Sequence, residues 1–125
     1  MQSALLLDTD LFFSVKVTDT LRHIGIETRT VRRLEDFVQA LSYDPPPVIA
    51  LVNTSARGVD WSAGIAAASR AHVRCIAFGA HVDLTTQEEA RRAGATRFLS
   101  NSRLSSDLPS IVARMLSQPG RDAAG

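Results

Sequence analysis

The chain has 125 residues, enough for one domain that buries its own apolar core without disulfides or a structural metal. Hydrophobic residues make up 45% and charged residues 22%, the balance of a soluble globular domain rather than a disordered or membrane-embedded one. A formal net charge of +1 supplies no overall field for nucleic acid or an anionic membrane, so neither is expected as a direct partner.

No stretch approaches the roughly 20 apolar residues of a membrane helix. Met1-Gln2-Ser3 lacks the basic start of a secretory signal, and Asp8 and Asp10 interrupt the first apolar run, so a cytoplasmic location is expected. Cys75 is the single cysteine and lies in an apolar stretch, which reads as a core thiol in a reducing compartment.

In chain order, Ala4-Leu5-Leu6-Leu7 is continuously apolar, the pattern of a strand buried on both faces. Asp10 can cap a helix marked by Phe13, Val17, Leu21 and Ile24, with Gly25 as its stop. Residues Ile26 to Val31 alternate as a strand; Leu34, Phe37, Val38 and Leu41 then mark a second helix, ended by Asp44 and Pro45-Pro46-Pro47. Val48 to Val52 is the third strand. Trp61, Ile65 and Ala68 give an alanine-rich third helix containing Gly64. Arg74 to Phe78 is the fourth strand, ending at Gly79. Thr85 with Glu88 predicts a capping box for a helix from Gln87 to Ala93, followed by Gly94. Thr96 to Leu99 is the fifth strand, and Leu108, Ile111, Val112, Met115 and Leu116 mark a last helix with Pro109 in its first turn.

Five strand–helix units with buried-type strands require crossover helices on both faces of a parallel sheet. The expected fold is therefore three-layer flavodoxin-like α/β, (βα)5, with strand order 2-1-3-4-5. Residues 1–118 form the expected domain and 119–125 an expected mobile tail.

In such a sheet, ligands bind beyond the carboxyl ends of the strands. Delivered there are Asp8, Thr9 and Asp10 after the first strand, and Asn53, Thr54 and Ser55 after the third. Gly79, Ala80 and His81 follow the fourth strand, and Asn101 and Ser102 the fifth. No nucleophile elbow, P-loop, dinucleotide fingerprint or metal-ligand spacing is present, so no catalytic residue and no cofactor is assigned.

Over about residues 3 to 117 the chain resembles response-regulator receiver domains, on Leu6-Leu7-Asp8-Thr9-Asp10, Leu51-Val52-Asn53, and Ala93-Gly94-Ala95 before Phe98-Leu99. The resemblance implies a bacterial two-component signalling context. Receivers bind Mg²⁺ with an acidic pair, take phosphate on an aspartate ending the third strand, sense it with a hydroxyl after the fourth, and neutralise it with a lysine after the fifth. Residue by residue, Asp8 fits the first acid, Thr9 stands where the second often lies, Asn53 replaces the acceptor, Gly79 the hydroxyl and Asn101 the lysine. Phe98 falls at the family's switch aromatic. An amide forms no acyl phosphate, which makes this a degenerate pocket. Asp8 and Asp10 alone retain a weak Mg²⁺ site or serve as strand end and helix cap.

His81 reads either as a loop residue, with Asp83 capping the next helix, or as a ligand or pH sensor. Phe12 either packs beneath a neighbouring helix or marks a contact surface, and Trp61 has the same two readings. Arg91, Arg92, Arg97, Arg103 and Arg114 fall on the fourth-helix, fifth-strand and fifth-helix region, where receivers dock partners or dimerise; otherwise they form a solvated surface. The expected function is a non-catalytic pseudo-receiver that works by protein–protein interaction or self-association through that face. The alternative is a small-molecule or ion-responsive sensor that uses the vestigial pocket.

Overall fold

In the computed structural model, which describes residues 2–118, the apolar runs form β1 (Gln2–Leu7), β2 (Ile26–Val31), β3 (Ile49–Asn53), β4 (Cys75–Gly79) and β5 (Arg97–Ser100). All pair in parallel in the order β2-β1-β3-β4-β5, as expected. Between them run α1 (Leu11–Arg22), α2 (Leu34–Leu41), α3 (Trp61–Arg70), α4 (Leu84–Ala93) and α5 (Asn101–Ser117). The expected tail from Pro119 to Gly125 lies outside the described residues.

Side chains alternate across the sheet, and the central strands feed two cores. Leu6, Ile49, Leu51, Ile76 and Phe78 pack with Val17 and Leu21 of α1 and Leu104, Leu108 and Val112 of α5. On the other face Leu5, Leu7, Val52, Cys75 and Ala77 meet Phe37 of α2, Ile65 and Ala68 of α3 and Ala90 of α4. Helix α3 comes unusually close: a Cβ on Gly64 would lie 2.9 Å from Leu7 Cδ2, which is why this helix is lined with small residues. Trp61 packs half-buried against the same core. Burial pushes the Cys75 thiol up to about 12, so it is a core side chain and not a nucleophile.

Several boundaries differ from expectation. Strand β1 begins two residues earlier, at Gln2. Strand β3 begins at Ile49 and reaches Asn53, β4 takes Gly79, and β5 runs from Arg97 to Ser100. Ile24 lies beyond the end of α1 and Val38 points away from the core; both are exposed. Helix α4 starts at Leu84 because Asp83 Oδ1 accepts from Thr86 N at 2.8 Å, while Glu88 is engaged by Arg91 and Arg92; the capping box from Thr85 does not form. Helix α5 starts at Asn101 without a loop, capped by Ser100 Oγ accepting from Arg103 N at 3.1 Å. Pro109 is thus inside the helix, not in its first turn. The continuous stripe of Leu104, Leu108, Ile111 and Met115 holds α5 across it.

Candidate functional site: a pocket closed on itself

Parallel pairing brings the ends of β1, β3 and β4 to one edge, with Leu7 beside Val52 and Asn53 beside Phe78. Asp8 follows β1 and is 1% exposed; Asn53 ends β3 and is 3% exposed. The two meet: Asn53 Nδ2 donates to Asp8 Oδ1 at 2.9 Å, and Asn53 Oδ1 accepts from Ser55 N at 2.8 Å. Both partners orient the amide, since a carboxylate only accepts and a backbone N–H only donates. An amide therefore satisfies a buried position where a second carboxylate would repel the first.

Asp8 Oδ1 also accepts from Asp10 N at 2.9 Å, while Asp8 Oδ2 is buried with no partner. Burial pushes the Asp8 carboxyl above the usual carboxylate range, and the charge of Asp10 adds to the rise. Hydrogen bonds from Asp10 N and from Asn53 pull the other way. Asp10 is exposed and its Oδ1 caps α1, accepting from Phe12 N at 2.9 Å and Phe13 N at 3.3 Å.

The remaining edge is knitted by hydroxyls that sequence reasoning placed there without a role. A Cβ on Gly79 would lie 2.2 Å from Thr54 Oγ1, which itself reaches Phe78 O at 3.2 Å. The Thr54 side chain thus fills the space that a hydroxyl residue at position 79 would need. Ser55 Oγ accepts from Ala80 N at 3.0 Å and ties the loop after β3 to the loop after β4. Thr9 Oγ1 accepts from Arg57 N at 3.2 Å and ties the same loop to β1. The one signal in the chain was the pairing of adjacent hydroxyl residues, Thr54-Ser55, with a glycine at the end of the next strand.

Structure thus joins Asp8 to the Asn53 side chain and to the Asp10 backbone N–H, while Thr9 reaches Arg57 N and Gly79 lies against Thr54 and Ser55. Among the described residues no hydrogen bond links His81 or Asn101 to Asp8 or Asn53. His81 is exposed and acts on Asp83, whose carboxyl is held below the usual range first by Thr86 N and only weakly by His81. Asp83 is a helix cap, as the first reading of His81 expected. Asn101 opens α5 with its Oδ1 buried and unpartnered. Mg²⁺, implied by the resemblance, asks for near-octahedral oxygen ligands. Here Asp8 Oδ1 is spent on two N–H donors, Asp10 caps a helix and Asn53 turns nitrogen toward Asp8, which leaves Asp8 Oδ2 as the one unpartnered carboxylate oxygen, too few for the ion. Among the described residues no group of three His, Cys, Asp or Glu is placed to hold a metal.

A second concavity, of about 920 Å³, lies between α4 and β5 and is lined by Leu84, Glu88, Arg91, Arg92, Arg97 and Phe98, among others. Glu88 holds Arg91 and Arg92, so only part of their charge is available. Leu84 is 83% exposed, and Phe98 is half-buried against the α2–α4 core. Arg103 and Arg114 of α5 lie outside this groove; Arg103 pairs with Asp107 at 3.3 Å. Phe12 is exposed and rests edge-on against Phe13 with ring centroids 5.9 Å apart, so it does not pack beneath a helix. Among the described residues no helix is long and apolar enough to cross a membrane.

No family model and no curated protein matches the sequence. Solved structures do match the fold. The receiver domain of NtrX from Brucella abortus superposes with a TM-score of 0.81 at 20% identity, over 93% of this chain and 99% of that one. A CheY-like receiver domain protein from Methanospirillum hungatei gives 0.81 at 15% identity, over 93% and 94%. The BeF3-activated DrrB receiver domain gives 0.80 at 18%, over 94% and 99%. The fold is that of response-regulator receiver domains.

Proposed function

We propose that the protein is a phosphate-independent pseudo-receiver: a non-catalytic signalling domain that acts by binding another protein through the α4–β5–α5 face. The observation that carries this reading is the Asn53 amide bonded at once to Asp8 and to Ser55 N. It stands where receivers carry the reactive carboxylate, engages Asp8 Oδ1 and holds the β3 loop, so the amide has both its partners without phosphate or cation and forms no acyl phosphate. The groove beside Phe98 supports the choice of face, because it joins an exposed leucine to arginines, residue types suited to interfaces.

The test has two arms. Incubation with acetyl phosphate and Mg²⁺ should leave the intact mass unchanged; gain of a phosphoryl group on the pocket overturns phosphate independence. A photo-crosslinker at Thr96, in the groove, should trap a protein that one at Lys16 does not, and Arg92→Glu should abolish the capture. Equal trapping from both positions overturns the choice of face.

A second reading rests on Asp8 Oδ2, a buried acceptor without a partner at the sheet edge. It favours a small hydrogen-bond donor, such as an ammonium group, over an anion. A ligand at a hundred times its dissociation constant would stabilise the fold by about 2.7 kcal/mol, readable as a thermal shift.

A further inference from the structure

Strand β2 is one edge of the sheet, and its chemistry is self-complementary. Asp8 N donates to Val31 O at 3.1 Å, so the backbone groups of Val31 face β1. By strand alternation those of Arg29 and Glu27 do so too, and Ile26, Thr28 and Thr30 present their N–H and C=O groups to the open side. The edge carries no proline or bulge of the kind that blunts such templates. On the α2 side it is left uncovered: cavities of about 720 and 420 Å³ flank it and share Arg29, Ala40 and Tyr43.

We propose that the β2 edges of two copies of this chain pair antiparallel about a two-fold axis at Thr28, joining the sheets into one. The register follows from the open groups. Thr28 faces Thr28 of the other copy, and Ile26 faces Thr30; these are the hydrogen-bonded pairs an antiparallel ladder needs. Glu27 then opposes Arg29 of the other copy, and Arg29 opposes its Glu27, both as closely spaced non-hydrogen-bonded pairs on the α2 face. Two opposite-charge contacts form from one dipeptide spacing, a self-complementarity that a two-fold interface requires. The Arg29 guanidinium carbon lies 5.0 Å from the Tyr43 ring centroid in the single chain. Thr28 Oγ1 is buried without a partner in the single chain, and a χ1 rotation would bring it to the threonine across the axis. This interface lies at the opposite sheet edge from the α4–β5–α5 face and does not depend on it.

Sedimentation velocity from micromolar to millimolar chain tests the pairing. Reversible dimerisation is expected, weakened about tenfold or more by Arg29→Glu, which turns two attractive pairs repulsive. The double swap Glu27→Arg with Arg29→Glu should restore it, because the pairs re-form with signs exchanged. Thr28→Pro should abolish it with circular dichroism unchanged, since that N–H is not used by β1. A chain that stays monomeric throughout overturns the proposal and leaves the edge to an unlike strand. A dimer that resists Arg29→Glu and Thr28→Pro, or a double swap that fails to rescue while remaining folded, overturns it equally.

Discussion

Asn53→Asp removes the amide hydrogen that Asp8 Oδ1 accepts over 2.9 Å and sets a second carboxyl against the first in a buried site. Two unit charges at that separation repel by about 6 kcal/mol at an effective dielectric constant of about 20. Proton uptake is the escape. At about pH 7.5 it costs about 5 kcal/mol for an ordinary aspartate, and less where burial already favours the neutral form, as it does at Asp8. The variant should therefore lose about 3–5 kcal/mol of stability at about pH 7.5. The sign of the pH dependence follows from the direction of the shift. The folded-state pKa of the pair lies above the unfolded value, so stability is retained at low pH and lost as pH rises through the folded pKa. At about pH 4.5 the loss should shrink to about 1 kcal/mol. Millimolar Mg²⁺ should recover much of it at the higher pH, because a second carboxylate supplies the anionic oxygen the parent lacks. Urea denaturation in chelator, at both pH values and then with Mg²⁺, reads all three effects. A variant as stable as the parent at about pH 7.5 without Mg²⁺ refutes the reasoning.

Three further outcomes follow from particular contacts. Gly79→Ser should destabilise by about 1–3 kcal/mol through overpacking on Thr54, and Thr54→Ala should relieve most of that in the double variant; additive losses in a denaturation cycle would refute the contact. Asp83→Ala should lower the melting temperature near neutral pH. Its carboxyl is depressed by capping α4, so the difference from the parent should fade as pH falls through that lowered value; a difference constant with pH would exclude the cap. Cys75 should resist a thiol reagent until the chain is unfolded, and rapid labelling of the native protein would contradict its burial.

Strand identity was legible because central strands of a parallel sheet must be apolar on both faces, and Leu5 to Leu7, Ile49 to Val52 and Cys75 to Phe78 carry that pattern without interruption; the strand order came with the fold class and not from these runs. Helix starts were less so. Asp83 and Thr85 both look like caps, and only geometry decides between them. The first turns of α5, Asn101 to Asp107, are polar but for Leu104, so their helical character comes from packing of that one leucine and the Ser100 cap. At the pocket, the identities of Asp8, Asn53 and Gly79 could be read from the chain, but not their union. The Asp8–Asn53 bond joins residues 45 apart in sequence, and the Thr54 side chain explains Gly79 only once β3 and β4 lie side by side. The arginines divide for the same reason: Arg91, Arg92 and Arg97 converge on the α4–β5 groove, while Arg103 and Arg114 lie outside it along α5.

The Asp8–Asn53 bond holds without cation or phosphate, and an amide-resolved NMR titration with Mg²⁺ and then beryllofluoride is the measurement that probes it. The amide signals of Asp8, Asn53, Ser55, Gly79, Ala80 and Asn101 should stay in place at millimolar concentrations of both. Localised, saturable shifts at those positions would contradict it, and would mean that Asp8 and its neighbours open to take a ligand as a working switch does.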